Sequence, residues 1–289
     1  MSLENLTMLC LYHQDLFVQT KRTPFFDIQC GKAVSDISLP MQGDNSGDNI
    51  SEENQFWSEI TGLYWAWKNI DKTKYVGLCS YRRFFNLRSS SKPLELVSIK
   101  KGQERIDNLN YEAVDEIFRT VDIIMPVPYT YPWSIRRVCS KNYRDDDFDS
   151  LEAYVEEYTP EYFSAFQKVM YSSNKTVGHN MFIMRWEDFQ EYCSWVFGVL
   201  FAMRERLDPT DYPIHQRRVF GYMHELLLAV YVEKRNLRVQ QSQILWVTND
   251  FLKSRFNRLA YRAVCNLIFN VSKVLGSLYP HKLKKTSLD

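Results

Sequence analysis

The sequence predicts an α/β fold with a mostly parallel central sheet flanked by helices. Two observations carry this. Short apolar runs, YVGLCS (75–80), VDIIMP (121–126), HNMFIM (179–184) and ILWVT (244–248), alternate with helical stretches. At 289 residues, 45% hydrophobic and 15% aromatic, the chain can bury a sizeable core.

The elements follow in order. Thr7 to Val18 reads as a first strand and its loop, and Met41 to Ser51 as a polar, glycine-bearing loop. Phe56, Ile60, Leu63 and Trp67 then fall at helical spacing, with Ser51 as N-cap and Glu52 and Glu53 in the first turn. After YVGLCS come a polar stretch from Arg88 to about Asn110, a helix near Tyr111 to Thr120 and VDIIMP. Tyr129 to Val177, rich in Tyr, Asp and Glu, reads as an irregular or helical insertion over a site. HNMFIM, two helices (EDFQEYCSWVFGVLFAMRERL and RRVFGYMHELLLAVYVEKR) and ILWVT close the series. Residues 1–250 form the predicted domain, and 251–289 a basic, amphipathic helical C-terminal segment.

Charge and cysteines narrow the function. Thirty-six basic residues against 35 acidic give a net charge of +1, so no global field draws the protein to nucleic acid. The six cysteines never lie closer than 20 positions, which excludes CxxC zinc or redox spacing and suits a reducing compartment such as the cytoplasm. No basic leader with a long apolar stretch opens the chain, and no run of about 18 apolar residues occurs, so a soluble or peripheral protein is expected. From Phe251 onward eight basic residues face one acidic, Asp289. With Phe256, Leu259, Ile268, Phe269 and Leu275 they suit attachment to an anionic membrane surface; a helix packed on the domain is the alternative.

Several residues stand out chemically. Arg82 and Arg83 end a core strand and are closed in by Phe84 and Phe85. Buried guanidiniums need an anion, and their geometry fits phosphate oxygens; an ion pair with a protein carboxylate is the other use. Glu59 lies on the apolar face of its helix, where Arg82 or Arg83 could meet it. Trp65 faces the opposite side, as a stacking platform or as packing under another segment. GDNSGDNIS offers backbone amides for an anion and Asp44 or Asp48 for a ribose or metal, although the same residues make ordinary turns. Arg218, Gly221 and Glu225 share one helix face, where the glycine leaves room for a ligand and Glu225 is a candidate general base; a solvated charged face is the alternative. No P-loop, GxGxxG, HExxH or GxSxG motif occurs. The Asp-x-Asp within Asp145–Asp147 follows no apolar strand and is discounted as a metal site.

QCGKAVSD, GDNSGDNIS, LYWAWKN, YVGLCSYRRFF, VDIIMP, NMFIM and RVFGYMHELL, in that order over residues 7–247, resemble a bacterial family of capsular and exopolysaccharide synthesis. Its members look like type A glycosyltransferases and include galactofuranosyltransferases. Ser80 stands where the family has histidine before the arginines, His13-Gln14 replaces His-Lys, and His224-Glu225-Leu226-Leu227 replaces Ser-Glu-Arg-Leu. The resemblance implies a UDP-sugar donor, with galactofuranose the best single sugar, and a polysaccharide or lipid-linked acceptor. It implies donor contacts from His13, Gly31, Asp44, Asp48, Asn49, Arg82 and Arg83. Sugar or acceptor contacts fall to Trp65, Asn180 and Arg218, and the base of an inverting transfer to Glu225. Mn2+ or Mg2+ is a candidate cofactor with no metal ligand assigned. A hexopyranosyltransferase, or a carbohydrate-binding assembly protein without turnover, are the rival readings.

Overall fold

The computed structural model describes residues 5–14, 20, 23–87, 94–176, 178–248, 263–271 and 274. The first half holds β1 (Leu6–Tyr12), β2 (Phe25–Gln29), β3 (Gln42–Gly43), α1 (Asn54–Trp57), α2 (Ile60–Asn69), β4 (Tyr75–Ser80), β5 (Arg83–Asn86), β6 (Leu94–Val97), α3 (Ile99–Asp107), α4 (Val114–Ile117) and β7 (Ile123–Pro126). The second holds β8 (Tyr129–Thr130), α5 (Ile135–Asn142), α6 (Asp145–Tyr158), α7 (Pro160–Ser172), β9 (Lys175–Thr176), β10 (Phe182–Arg185), α8 (Trp186–Arg206), α9 (Ile214–Arg217), α10 (Val219–Lys234) and β11 (Val239–Val247). The expected C-terminal helix is described over 263–271. Phe256, Leu259, Leu275 and all eight basic residues of that segment lie outside the described residues.

Among the described residues nine strands form one sheet, and β8 and β9 form a separate pair. The sheet is mixed, which corrects the mostly parallel expectation. β3, β2, β1 and β4 run parallel side by side. β4 then pairs antiparallel with β10 and with β5, while β11 runs antiparallel to β5 and parallel to β6 and β7. The reason is local: only Tyr81 and Arg82 separate β4 from β5, and so short a connection can join only antiparallel strands.

Strand side chains alternate between two cores, as the two-residue period requires. Leu9, Leu11, Val76 and Leu78 point to the side packed by α1, α2, α5 to α8 and α10. Met8, Cys10, Tyr75 and Cys79 point to the side covered by Ile106, Tyr111, Val114 and Phe118. Because β1, β2 and β4 are parallel neighbours, their carboxyl ends open on one edge. His13, Gly31 and Arg82 therefore meet there although they are far apart in sequence.

The single helix expected after Ser51 is broken. A 3-10 turn, Ser51–Glu53, leads into α1, and Ser58 then adopts φ 56°, ψ −141° before α2. Gly221 of α10 allows this: a Cβ there would lie 3.1 Å from the Trp57 carbonyl oxygen. Its missing side chain thus makes room for the protein's own backbone, and not for a ligand. The insertion 129–177 is chiefly three helices, α5, α6 and α7.

Candidate active site

At the strand-end edge lies a cleft of about 400 Å3, lined among others by His13, Gly31, Ser58, Glu59, Ser80, Arg82, Arg83 and Arg218. Gly31 is left-handed (φ 65°), and a Cβ on it would meet Asn54 at 2.5 Å. The backbone of the β2 loop can therefore line the cleft closely. His13 packs edge-on against Tyr81, with ring centroids 5.1 Å apart.

The arginine pair dominates. Arg82 sits in the β4–β5 turn, its carbonyl accepting from the Val247 N–H at 2.8 Å, and Arg83 begins β5. The Arg82 guanidinium stands 5.4 Å from the Tyr81 ring centre and that of Arg83 4.6 Å from the Trp246 ring centre. Both Nε atoms are buried without a hydrogen-bond partner, as is the Ser80 hydroxyl beside them. Among the described residues, no ion pair involves Arg82, Arg83 or Arg218. Burial, and next the charge of Arg82, push the Arg83 guanidinium below its ordinary pKa. Three cations thus face one cleft without a protein carboxylate in contact: Arg218 is exposed, while Arg82 and Arg83 are half-buried, and a bound anion would offset the desolvation cost of these two.

Glu59, expected to pair with an arginine, instead accepts from Asn180 Nδ2 at 3.2 Å. Asn180 Oδ1 lies 2.7 Å from His224 Nδ1, and His224 Nε2 lies 3.0 Å from the Tyr192 hydroxyl. The amide's orientation fixes the direction of this buried chain: Oδ1 can only accept, so Nδ1 carries the proton and Nε2 accepts from Tyr192. Burial lowers the His224 pKa to about 3, which keeps the ring neutral. Asn180 is thus used behind Glu59 and lines no part of the cleft, contrary to its expected sugar contact.

Glu225 faces a second, smaller cavity of about 190 Å3 with Tyr129, Tyr131, Tyr143 and His179. Its Oε1 accepts from the His179 backbone N–H at 2.9 Å. Burial first, and the Glu59 charge second, raise its pKa to about 7, against the pull of that N–H, Arg83 and Arg218. Glu225 therefore feels three groups of the larger cleft while standing in the smaller one. A carboxyl group near neutral pKa can accept a proton at physiological pH and pass it on.

Other expected site residues lie elsewhere. Asp44 is fully buried and accepts from the amides of Gly31 (2.8 Å) and Lys32 (2.9 Å) and from the Ser51 hydroxyl (2.5 Å). Asp48 accepts from the Tyr64 hydroxyl at 2.9 Å, and Asn49 bonds the Gly47 carbonyl and the Ser51 amide. Trp65 is buried, donates to the Ser46 carbonyl at 2.8 Å and stacks on Phe26. Asp48 and Trp65 hold the 43–49 loop onto α2, Asp44 ties it to the Gly31–Lys32 turn and to Ser51, and Asn49 bonds the loop and Ser51, so the polar atoms of all four are used by the protein itself. Asp147 accepts from the Tyr212 hydroxyl. Among the described residues, no group of three His, Cys, Asp or Glu side chains converges as a metal would require.

The domain of unknown function DUF4422 matches residues 7–236. The chain belongs to the DUF4422 family. Among solved structures, the apo form of WbbM, a bifunctional glycosyltransferase, is similar at 28% identity and a TM-score of 0.72 over 85% of this chain. The DUF4422 chain spans 46% of the length of WbbM. The likeness gives it a glycosyltransferase-like α/β fold. No curated protein matches.

Proposed function

We propose that the protein is a glycosyltransferase that takes a sugar from a UDP-sugar donor and passes it, with inversion, to a polysaccharide or lipid-linked acceptor. Galactofuranose is our first choice of donor sugar and a hexopyranose the second. The observation that carries this is the unpaired arginine pair, with Arg218, around a cleft at the carboxyl ends of parallel strands. The resemblance to WbbM supports the class of reaction.

In the proposed reaction the diphosphate lies against Arg82 and Arg83, and the base and ribose toward His13 and Gly31. The acceptor oxygen attacks the anomeric carbon as the bond from that carbon to the diphosphate oxygen breaks. The electron pair leaves with UDP, where the guanidiniums stabilise the growing charge. Glu225 takes the acceptor hydroxyl's proton and releases it to solvent. Donor hydrolysis by the wild-type chain, followed as UDP release, tests the reading. Absence of both UDP binding and UDP release would favour a carbohydrate-binding protein without turnover.

We also propose peripheral attachment at the inner face of the cell membrane. In the 263–271 helix, Cys265 and Phe269 are buried, and Asn266 Oδ1 accepts from Asn174 at 3.1 Å. Phe269 therefore packs on the protein and not on lipid, which corrects its expected role. Val264, Leu267, Ile268, Val271 and Val274 are exposed at helical spacing, and the flanking sequence is basic. No helix among the described residues is long and apolar enough to cross a membrane. Cosedimentation with phosphatidylglycerol-containing vesicles should fall sharply in a Leu267→Asp, Val271→Asp double variant; unchanged cosedimentation would refute the attachment.

A further inference from the structure

We propose that the cavity beside Glu225 seats one neutral sugar ring of the acceptor. The reading rests on the proposed transfer for the ring's role as acceptor, but not for the cavity's ability to hold a sugar.

The lining decides the chemistry. Three tyrosines, 129, 131 and 143, share the cavity with Ile135, Cys139 and Leu226, while Glu225 and His179 supply polar groups. A sugar ring offers C–H patches on its faces and hydroxyls at its edge, which match aromatic walls and a few convergent polar groups. Among the described residues no Arg or Lys lines this cavity, whereas three arginines line the larger cleft. A phosphate or second nucleotide therefore finds no cationic partner among these residues, and meets the Glu225 carboxyl group instead, whereas a neutral glycan suits the lining.

The walls are built and not incidental. The Tyr129 hydroxyl lies 2.8 Å from His179 Nε2, and Tyr129 is paired with Thr176 in the β8–β9 ribbon. Burial, and next the Arg83 charge, lower the His179 pKa to about 3, so its ring is neutral and can exchange hydrogen bonds with hydroxyls. Tyr143 leans on Tyr222, with ring centroids 4.8 Å apart, and Arg218 lies over Tyr222 at 5.4 Å. Tyr143 of this cavity and Arg218 of the larger cleft thus both pack on Tyr222 of α10, and Glu225 stands where a ring hydroxyl would arrive. His179 and Asn180 both hold left-handed backbone, φ 80° and 53°, which is costly for non-glycine residues and concentrates at functional positions.

Gly178 offers a direct test. A Cβ there would lie 3.4 Å from the Tyr129 ring and 3.9 Å from Glu225 Oε2, so a larger side chain intrudes into the cavity. Saturation-transfer NMR of the full chain would use methyl β-galactopyranoside, methyl β-glucopyranoside and methyl α-rhamnopyranoside as probes, with UDP present. At least one should receive saturation, and Gly178→Leu and Tyr143→Ala should each reduce it at least fivefold, with melting monitored for both. In the wild type, the Gly178 and His179 amide resonances should move on adding that glycoside, a readout that needs no variant. No engagement by any of the three, or engagement without movement of those amides, overturns the subsite. UDP binding without glycoside binding would sink the subsite and leave the donor reading standing. Glycoside binding at these amides without UDP binding would do the reverse.

Discussion

The backbone N–H of His179 donates to Oε1 of Glu225 at 2.9 Å, so the turn before β10 holds the carboxyl group proposed as the base. Burial nevertheless lifts that group from the ordinary 4.5 to about 7. The sign is clear. The folded protein holds the proton more tightly than the unfolded chain, so this group favours folding at low pH, and its contribution is lost as pH rises through about 7. The active carboxylate gains population over the same range. Transfer should rise about tenfold per pH unit below 7 and level off above it. Glu225→Gln should abolish that limb and lower turnover by about 10² to 10⁴-fold while UDP still binds. A full rate in this variant, measured by product formation against pH, would remove Glu225 as the base.

Asn180 holds Glu59 and His224 at once. Asn180→Leu leaves a buried imidazole N–H without an acceptor, and the expected loss of stability is about 1–3 kcal/mol, read by urea unfolding. The same variant should raise the KM for donor, because Glu59 loses its positioning contact in the cleft.

Gly221→Ala places a methyl group 3.1 Å from the Trp57 carbonyl oxygen. Backbone cannot yield as a flexible side chain can, so a loss of about 1–3 kcal/mol is expected in a thermal or urea melt. A neutral result would mean that the break at Ser58 does not depend on this contact.

Asp44 separates architecture from chemistry. Asp44→Ala strips partners from two amides and a hydroxyl, and should destabilise the fold by about 1–3 kcal/mol or more. Under conditions where the variant remains folded, UDP binding should change far less than in the arginine variants. A selective loss of UDP binding without loss of stability would restore Asp44 as a ligand residue.

The strands were legible in the sequence because YVGLCS, VDIIMP and NMFIM are short apolar runs with few other uses. Their pairing direction was less so: the β4–β5 hairpin turns on two residues, Tyr81 and Arg82, which show none of the usual Gly or Asn turn chemistry. The break at Ser58 was invisible, since it needs Gly221 from a helix distant in sequence. Trp65 was misplaced because a helical wheel assumes one wet face, whereas every residue from Ile60 to Ala66 is buried. Asp44 and Asp48 were misread because Asp, Gly and Ser build ligand loops and self-satisfied turns alike. The arginines, singled out in the sequence, line the larger cleft with His13 and Gly31, which only the family resemblance suggested, and Glu225 lines the smaller cavity. The three-tyrosine cavity could not be read from the sequence, because its walls come from β8, α5 and α10, and only the folded chain unites them. The Gly178-His179-Asn180 run ahead of a strand was its one local signal.

The central claim is electrostatic, and isothermal titration with UDP and with uridine tests it most directly. Arg82→Ala and Arg83→Ala should each weaken UDP by about 1.5–3 kcal/mol, roughly 10- to 150-fold, and leave uridine almost unchanged. Arg83→Lys should recover only part of the loss, since an ammonium cannot reproduce a bidentate fork. Equal losses for UDP and uridine, or UDP binding untouched by either substitution, would contradict the account.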